Sequence, residues 1–325
     1  MVRKIDLKID VSAACRVEEP ISSAATVVLP DPDRTPARPL VMFGWPGGGY
    51  SRRYFDLQIP GMPGYSQAEH HAANGVIFAA CDHVAVGDST IPTAGLDHPD
   101  LGRANRKVAA TILAGLLEGT LVPGLGPMQP SAVIGMGQSY GGLLLTMAEA
   151  NEPLFDGVAM LGWSGIQTVV IPALPPGGPG WAELAARGTT HPYRPVFHFN
   201  DVPEAIVEQD LAGYPLRAAG EPIPPWGTKW MPGGPNVRLS QLPLAEGVVK
   251  LEAAAIGCAV FVGNGERDTC PQPHMEPLAY KSASDVTTFI LPRAAHMHNF
   301  AGTRRKLWTR LEAWSEGVAR MKSAQ

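Results

Sequence analysis

The sequence is short of charge. Of its 325 residues 17% are charged, with 26 Lys and Arg against 30 Asp and Glu and a formal net charge of −4. Without a basic stripe the main attraction of a nucleic-acid binder is missing, and that class is excluded. Cysteine is scarce as well: Cys15, Cys81, Cys258 and Cys270 lie far apart with no C-x-x-C pair, which excludes a disulfide framework. Scattered thiols suit a reducing compartment, so a cytoplasmic location is expected. No apolar run approaches the ~18–20 residues that span a bilayer. The first residues, M-V-R-K-I-D-L-K-I-D-V, alternate charge with aliphatic side chains, unlike the continuous apolar stretch of a secretory signal. No membrane partner is expected.

Glycine and proline are plentiful, at 36 and 32 residues. With 45% hydrophobic residues the chain is too apolar for disorder, and these residues are expected to punctuate turns of a folded protein. Residues 4 to 11 place Ile5, Leu7, Ile9 and Val11 on one face and charged residues on the other, the period of a half-exposed strand with Ala24 to Leu29 as its hairpin partner. Six nearly apolar runs follow: Pro39 to Phe43, Gly75 to Cys81, Ser131 to Gly135, Gly157 to Leu161, Cys258 to Val262 and Val286 to Leu291. Such runs predict strands covered on both faces, as in parallel sheets. Helical patterns lie between them, over Leu101 to Leu117, Leu143 to Ala150 and Ala301 to Val318, the last with Leu307, Leu311, Trp314 and Val318 in one stripe. The alternation predicts an α/β fold with a mostly parallel central sheet flanked by helices.

Between residues 164 and 245 the alternation breaks into proline-rich stretches such as P-A-L-P-P-G-G-P-G-W. Proline removes backbone donors, so an irregular insertion with few, short helices is expected. The predicted organisation is one core, residues 1–163 and 246–325, carrying an inserted Pro-rich cap, 164–245.

The strand run from Ser131 leads into Gly137-Gln138-Ser139-Tyr140-Gly141 and then an apolar helix. This is G-x-S-x-G in strand–turn–helix context. The glycines remove side chains that would collide at a sharp turn, and Ser139 stands at a helix N-terminus, where free N–H groups favour developing negative charge. The rival reading, a dinucleotide fingerprint from Gly135, Gly137 and Gly141, fails because that motif belongs to the first βαβ unit.

With these residues, and with Ala80-Cys81-Asp82-His83 followed by Gly87-Asp88-Ser89, the chain resembles the α/β-hydrolase superfamily of serine esterases and related enzymes over most of its length outside the insertion. The resemblance implies the α/β-hydrolase fold and a triad in the chain order Ser, acid, His. Ser139 is then the nucleophile and Asp268, in G-N-G-E-R-D after the Cys258 run, the acid, with Glu266 as runner-up. His296, in R-A-A-H-M-H-N-F, is the base and His298 the alternative. Gly44-Trp45-Pro46-Gly47-Gly48-Gly49-Tyr50 resembles the family's oxyanion loop, with Gly48 or Gly49 giving one donor and the Tyr140 N–H the other. Tyr50 and Trp163 follow core strands on the side where family sites open and are expected in the substrate pocket, with Trp226 of the insertion. Asp82 is expected to cap the next loop. His70, His71, His98, His191 and His198 are read as surface or hydrogen-bonded histidines. No G-K-[ST] follows the glycines and no zinc spacing is present, so no cofactor and no metal are expected.

The activity implied is hydrolysis of a small or medium hydrophobic ester or lactone through an acyl-enzyme, by a chain that can also form a homo-oligomer. Carbon–carbon bond hydrolases, thioesterases and acyltransferases share the same constellation. A non-catalytic protein that binds a small apolar ligand is the reading from outside enzymology.

Overall fold

A computed structural model describes residues 2–93, 95–169, 193–212 and 244–324. Its centre is an eight-stranded sheet: β1 (Arg3–Asp10), β2 (Ser22–Leu29), β3 (Val41–Trp45), β4 (Ile77–Cys81), β5 (Val133–Gln138), β6 (Gly157–Leu161), β7 (Ala259–Gly265) and β8 (Val286–Leu291). Their order is β1-β2-β4-β3-β5-β6-β7-β8. The alternating β1 pairs antiparallel with β2, and β2 with β4; the remaining pairs are parallel. The charged face of β1 stays exposed, whereas β3 to β7 are buried at every position, as apolar runs predict for strands covered on both faces. The exception is β8. Its run carries Thr287 and Thr288, it is the edge strand, and only Leu291 is fully buried.

Helices cover both faces. One core packs α2 (Gln67–Ala73) and α8 (Arg304–Ser323) on the sheet, with Leu307, Leu311, Trp314 and Val318 inward as their spacing predicts. The other holds α1 (Ser12–Cys15), α3 (His98–Glu118), α4 (Tyr140–Asn151) and α7 (Lys250–Ala255). The longest helix, α3, starts three residues before its apolar pattern, because Asp97 and Asp100 form a reciprocal capping box; it stops at Gly119 with φ 71°.

Register aligns the strand ends. Trp45 pairs with Gly137, Gln138 with Leu161, Leu161 with Gly263, and Gly265 with Leu291, so the segments after β3, β5, β6, β7 and β8 emerge along one edge. This is where parallel α/β sheets place ligands. The described parts of 164–245 contain two short helices, α5 (Arg194–Phe197) and α6 (Glu204–Leu211). The N–H groups of His296 and Met297 donate to the carbonyls of Val196 and Phe197, each at 2.9 Å. Trp226, His191 and the proline-rich stretches at 170–192 and 213–243 lie outside the described residues. No described helix is long and apolar enough to cross a membrane.

Candidate active site

Strand β5 turns into α4 through Ser139, whose φ of 52° and ψ of −115° lie outside the regions open to ordinary side chains. Holding such a residue costs about 1–3 kcal/mol, so the surroundings must enforce it. The Ser139 N–H donates to Leu161 O at 2.8 Å, and Ser139 O accepts from Gly142 N at 2.8 Å. A Cβ at Gly137 would overlap the backbone of Gly141, one at Gly141 would overlap Trp45 O, and one at Gly142 would strike Trp163. Three side-chain-free positions therefore let the turn close against β3 and β6. Ser139 is half-buried between buried neighbours, and the first N–H of α4, that of Tyr140, has no intrahelical acceptor.

Asp268, three residues past β7, is buried and accepts four strong hydrogen bonds. Its Oδ1 takes them from Thr269 N and His296 Nδ1, both at 2.7 Å; its Oδ2 takes them from Gly265 N at 2.7 Å and His298 Nε2 at 2.6 Å. Burial alone would raise the carboxyl, but attraction to His298 and His296 and the hydrogen bonds from both outweigh it and hold Asp268 well below the usual carboxylate range. Gly162, at φ 57°, opens the space they occupy: a Cβ there would lie 2.9 Å from His296 Nδ1 and 3.2 Å from Asp268 Oδ1.

The two histidines therefore share one acid, and what separates them is the other ring nitrogen. Gln138, the residue before Ser139, has its amide Nε2 3.3 Å from His296 Nε2 and 3.2 Å from His296 O. An amide NH2 can only donate, so His296 must present a lone pair on Nε2 and carry its proton on Nδ1, toward Asp268. That is the tautomer a general base needs. The Nδ1 of His298 is buried and has no partner, and among the described residues nothing links its ring to the turn at Ser139. Glu266 is exposed and accepts from Arg293 N at 2.8 Å, on the far side of the β8 turn from the histidines.

The glycine loop after β3 is clamped from below. The carbonyl of Pro46 accepts from His83 Nε2 at 2.8 Å, while Asn105 Nδ2 lies 3.0 Å from His83 Nδ1. Burial pushes His83 down to about 4, so the ring is neutral, with Nε2–H toward Pro46 and the Nδ1 lone pair toward Asn105. Asp82, at the end of β4, accepts from Arg52 N and Arg52 Nη1, both at 2.6 Å, and from Asp88 N at 3.1 Å, tying down the loops on both sides. The glycine in contact with Ser139 is Gly47: a Cβ there would overlap Gln138 Oε1 and lie 3.1 Å from Ser139 Cβ. Gly48, half-buried, and Gly49, at φ 81°, continue the loop.

No family model and no curated protein matches the sequence. Solved structures match nearly all of it. A proline iminopeptidase from Mycobacterium smegmatis superimposes with a TM-score of 0.61 at 14% identity, covering 98% of this chain and 100% of its own. An esterase from Rhodococcus sp. ECU1013 gives 0.59 at 17% identity over 98% and 99%. A haloalkane dehalogenase variant from Bradyrhizobium elkanii gives 0.58 at 14% identity over 99% and 99%. The chain has the α/β-hydrolase fold.

Within the α/β-hydrolase fold the remaining expected residues find varied places. Trp163, after β6, is buried against Gly142. Tyr50 is buried too; its OH donates to Asp210 Oδ2 at 2.9 Å, an oxygen also 2.7 Å from His198 Nε2. This buried cluster joins the glycine loop to α6. Phe197 lays its ring 5.4 Å from that of His296. His98 Nδ1 is 2.6 Å from Tyr140 OH. Asp268, His296 and His298 bond in pairs without converging on a point; among the described residues the group able to hold a metal is His70, His71 and Glu312. Sequence reasoning missed Gln138, Asn105 and Gly162. Gln138 was visible as the variable position inside the serine motif, whereas Gly162 carried no local signal because its constraint comes from chain segments a hundred residues away.

Proposed function

We propose that the protein is a serine hydrolase that cleaves a small or medium hydrophobic ester or lactone through an acyl-enzyme. The observation that carries this reading is the tautomer of His296. Its Nδ1–H lies on Asp268 at 2.7 Å, and its Nε2 lone pair faces the amide of Gln138, the chain neighbour of Ser139. A hydroxyl at neutral pH needs such a base beside it.

In the proposed reaction Ser139 Oγ attacks the substrate carbonyl while its proton passes to His296 Nε2, the Gln138 amide yielding that lone pair. Asp268, kept ionised by its donors, stabilises the imidazolium. The tetrahedral oxyanion lies between the Tyr140 N–H and the N–H groups of the Gly48–Gly49 segment, which Gly47 brings against Ser139. Collapse breaks the carbonyl–alkoxy bond, and His296 returns the proton to the leaving oxygen. Water then repeats the sequence on the acyl-enzyme, and Ser139 recovers its proton. A hydrophobic acyl group fits the apolar ring of Phe197 beside the histidine, with Tyr193 tilted against it at 5.2 Å.

The test is labelling with a fluorophosphonate probe. The folded protein should label once, and Ser139→Ala should abolish the label while melting like the parent. Folded protein that takes up no probe, or a Ser139→Ala variant that still labels, would refute the proposal. A panel of esters, lactones, thioesters and β-diketones then separates ester cleavage from carbon–carbon cleavage and acyl transfer on the same groups.

A further inference from the structure

On the opposite face from α3 and α4, α2 and α8 pack against each other with three metal-ligating side chains at the seam. The donor atoms of His70, His71 and Glu312 all lie within 4.8 Å of one another. Glu312 Oε1 is 2.8 Å from His71 Nδ1 and 3.6 Å from His70 Nε2. We infer that His70, His71 and Glu312 form a binding site for a zinc-class divalent cation that links α2 to the C-terminal helix.

Adjacent residues on a helix point about 100° apart, so two neighbouring histidines do not ordinarily reach one spot. Here they do because they use different nitrogens: His70 reaches with its far Nε2 and His71 with its near Nδ1. A tetrahedral zinc with bonds of ~2.1 Å sets its ligand atoms about 3.4 Å apart. The two distances to Glu312 bracket that value. Two imidazoles and a carboxylate favour zinc over magnesium or calcium, which take oxygen donors.

Neighbouring groups hold two of the three ligands in place. Gln67 Nε2 lies 3.2 Å from His71 Nε2, and a half-turn of that amide would bring its oxygen to accept the Nε2–H that a metal-bound His71 carries. Asn74 Nδ2 donates to Glu312 Oε1 at 3.0 Å and to Oε2 at 3.1 Å. The His71 ring is stacked on Phe78 and the His70 ring packs on Trp308.

The competing explanation is a plain interhelical hydrogen bond between His71 and Glu312. It accounts for two of the residues and leaves the buried Nε2 of His70 without a partner. A cation accounts for all three. The side chains of His70 and Glu312 are 13% and 14% exposed, so the seam lies at the edge of the core.

The experiment titrates zinc chloride into untagged, chelator-dialysed full-length protein by calorimetry, with cobalt(II) as a visible-absorption probe. We expect one equivalent bound and a tetrahedral cobalt spectrum. In His70→Gln and Glu312→Gln, affinity should fall by about 100-fold or more, beyond the ~10–100-fold that losing a supporting partner costs. Zinc should raise the melting temperature of the parent and not of either variant. His70→Asn provides a second substitution should one variant melt early in chelator. Absence of zinc binding, binding unchanged in the variants, or binding lost in His298→Ala instead would overturn the inference. Fluorophosphonate labelling of the same samples reports on the serine site separately, so the two proposals fail independently.

Discussion

Replacing His296 and His298 by alanine, one at a time, should cost the same stability and very different activity. Both rings donate to the same buried carboxylate, at 2.7 and 2.6 Å, and both are buried, at 3% and 1% exposure. A hydrogen bond to a buried charge contributes about 1.5–3 kcal/mol, and the cavity left by the ring adds roughly 1–2 kcal/mol. Each variant should therefore lose about 3–5 kcal/mol. With an unfolding entropy of ~2.1 cal/mol/K per residue over 325 residues, that lowers the melting temperature by about 4–7 °C in both. Activity divides them. His296→Ala removes the proposed base and should reduce turnover of an activated ester by about 10⁴-fold or more. His298→Ala leaves Asp268 with His296 and the N–H groups of Gly265 and Thr269, and the loss should stay within about tenfold. The assay pairs calorimetric melts with initial rates on p-nitrophenyl esters. A folded His298→Ala variant as inactive as His296→Ala, or a His296→Ala variant retaining most of its turnover, would refute the assignment of roles.

Two glycines should separate folding from function. Gly137→Ala forces a Cβ into the backbone of Gly141 and Gly142, which cannot move without breaking the turn, so expression as folded protein should fail or stability drop by more than ~4 kcal/mol. Gly47→Ala meets chiefly the end of the Gln138 side chain, which can rotate; melts should change little while turnover falls by at least about tenfold. Acidification tests His83. Its native value of about 4 lies below the ~6.5 of a free imidazole, so the unfolded chain takes up the proton first. Stability should fall as pH drops from ~6.5 towards 4, by up to roughly 3 kcal/mol at ~1.4 kcal/mol per pH unit. Urea unfolding of His83→Gln should show a shallower loss over that window; an identical slope would show that the clamp on Pro46 does not titrate as argued.

The fold was legible because strand burial is written in local composition. The runs at Gly157 to Leu161 and Val286 to Leu291 coincide with β6 and β8. Thr287 and Thr288 are the local trace in the second run of its place at the sheet edge, although position in a sheet is decided by neighbours and not by the strand itself. The strained turn at Ser139 was equally readable, because its motif falls within five residues, although Trp45, Leu161 and Trp163, which close it, lie elsewhere in the chain. His296 and His298 were not separable by sequence. They differ in which nitrogen meets Asp268, 28 to 30 residues away, and in the reach of Gln138, 158 residues from His296, and both depend on how separate segments are brought together. The pairing of Tyr50 with Asp210 and His198 was illegible for the same reason: each is an unremarkable polar residue until α6 docks.

The hydrogen bonds from His296 and Met297 to Val196 and Phe197 bear on how this chain can be redesigned. Trimming a protein of this fold to a minimal scaffold, or transplanting a foreign insertion to change what it accepts, assumes that the insertion is a detachable module. Here two main-chain carbonyls of the insertion anchor the histidine-bearing turn, and a graft that fails to supply equivalents would leave buried N–H groups unanswered. The conformation of residues 193–199 and the seating of the histidine are thus mechanically linked, and any library that diversifies this segment will shift both at once.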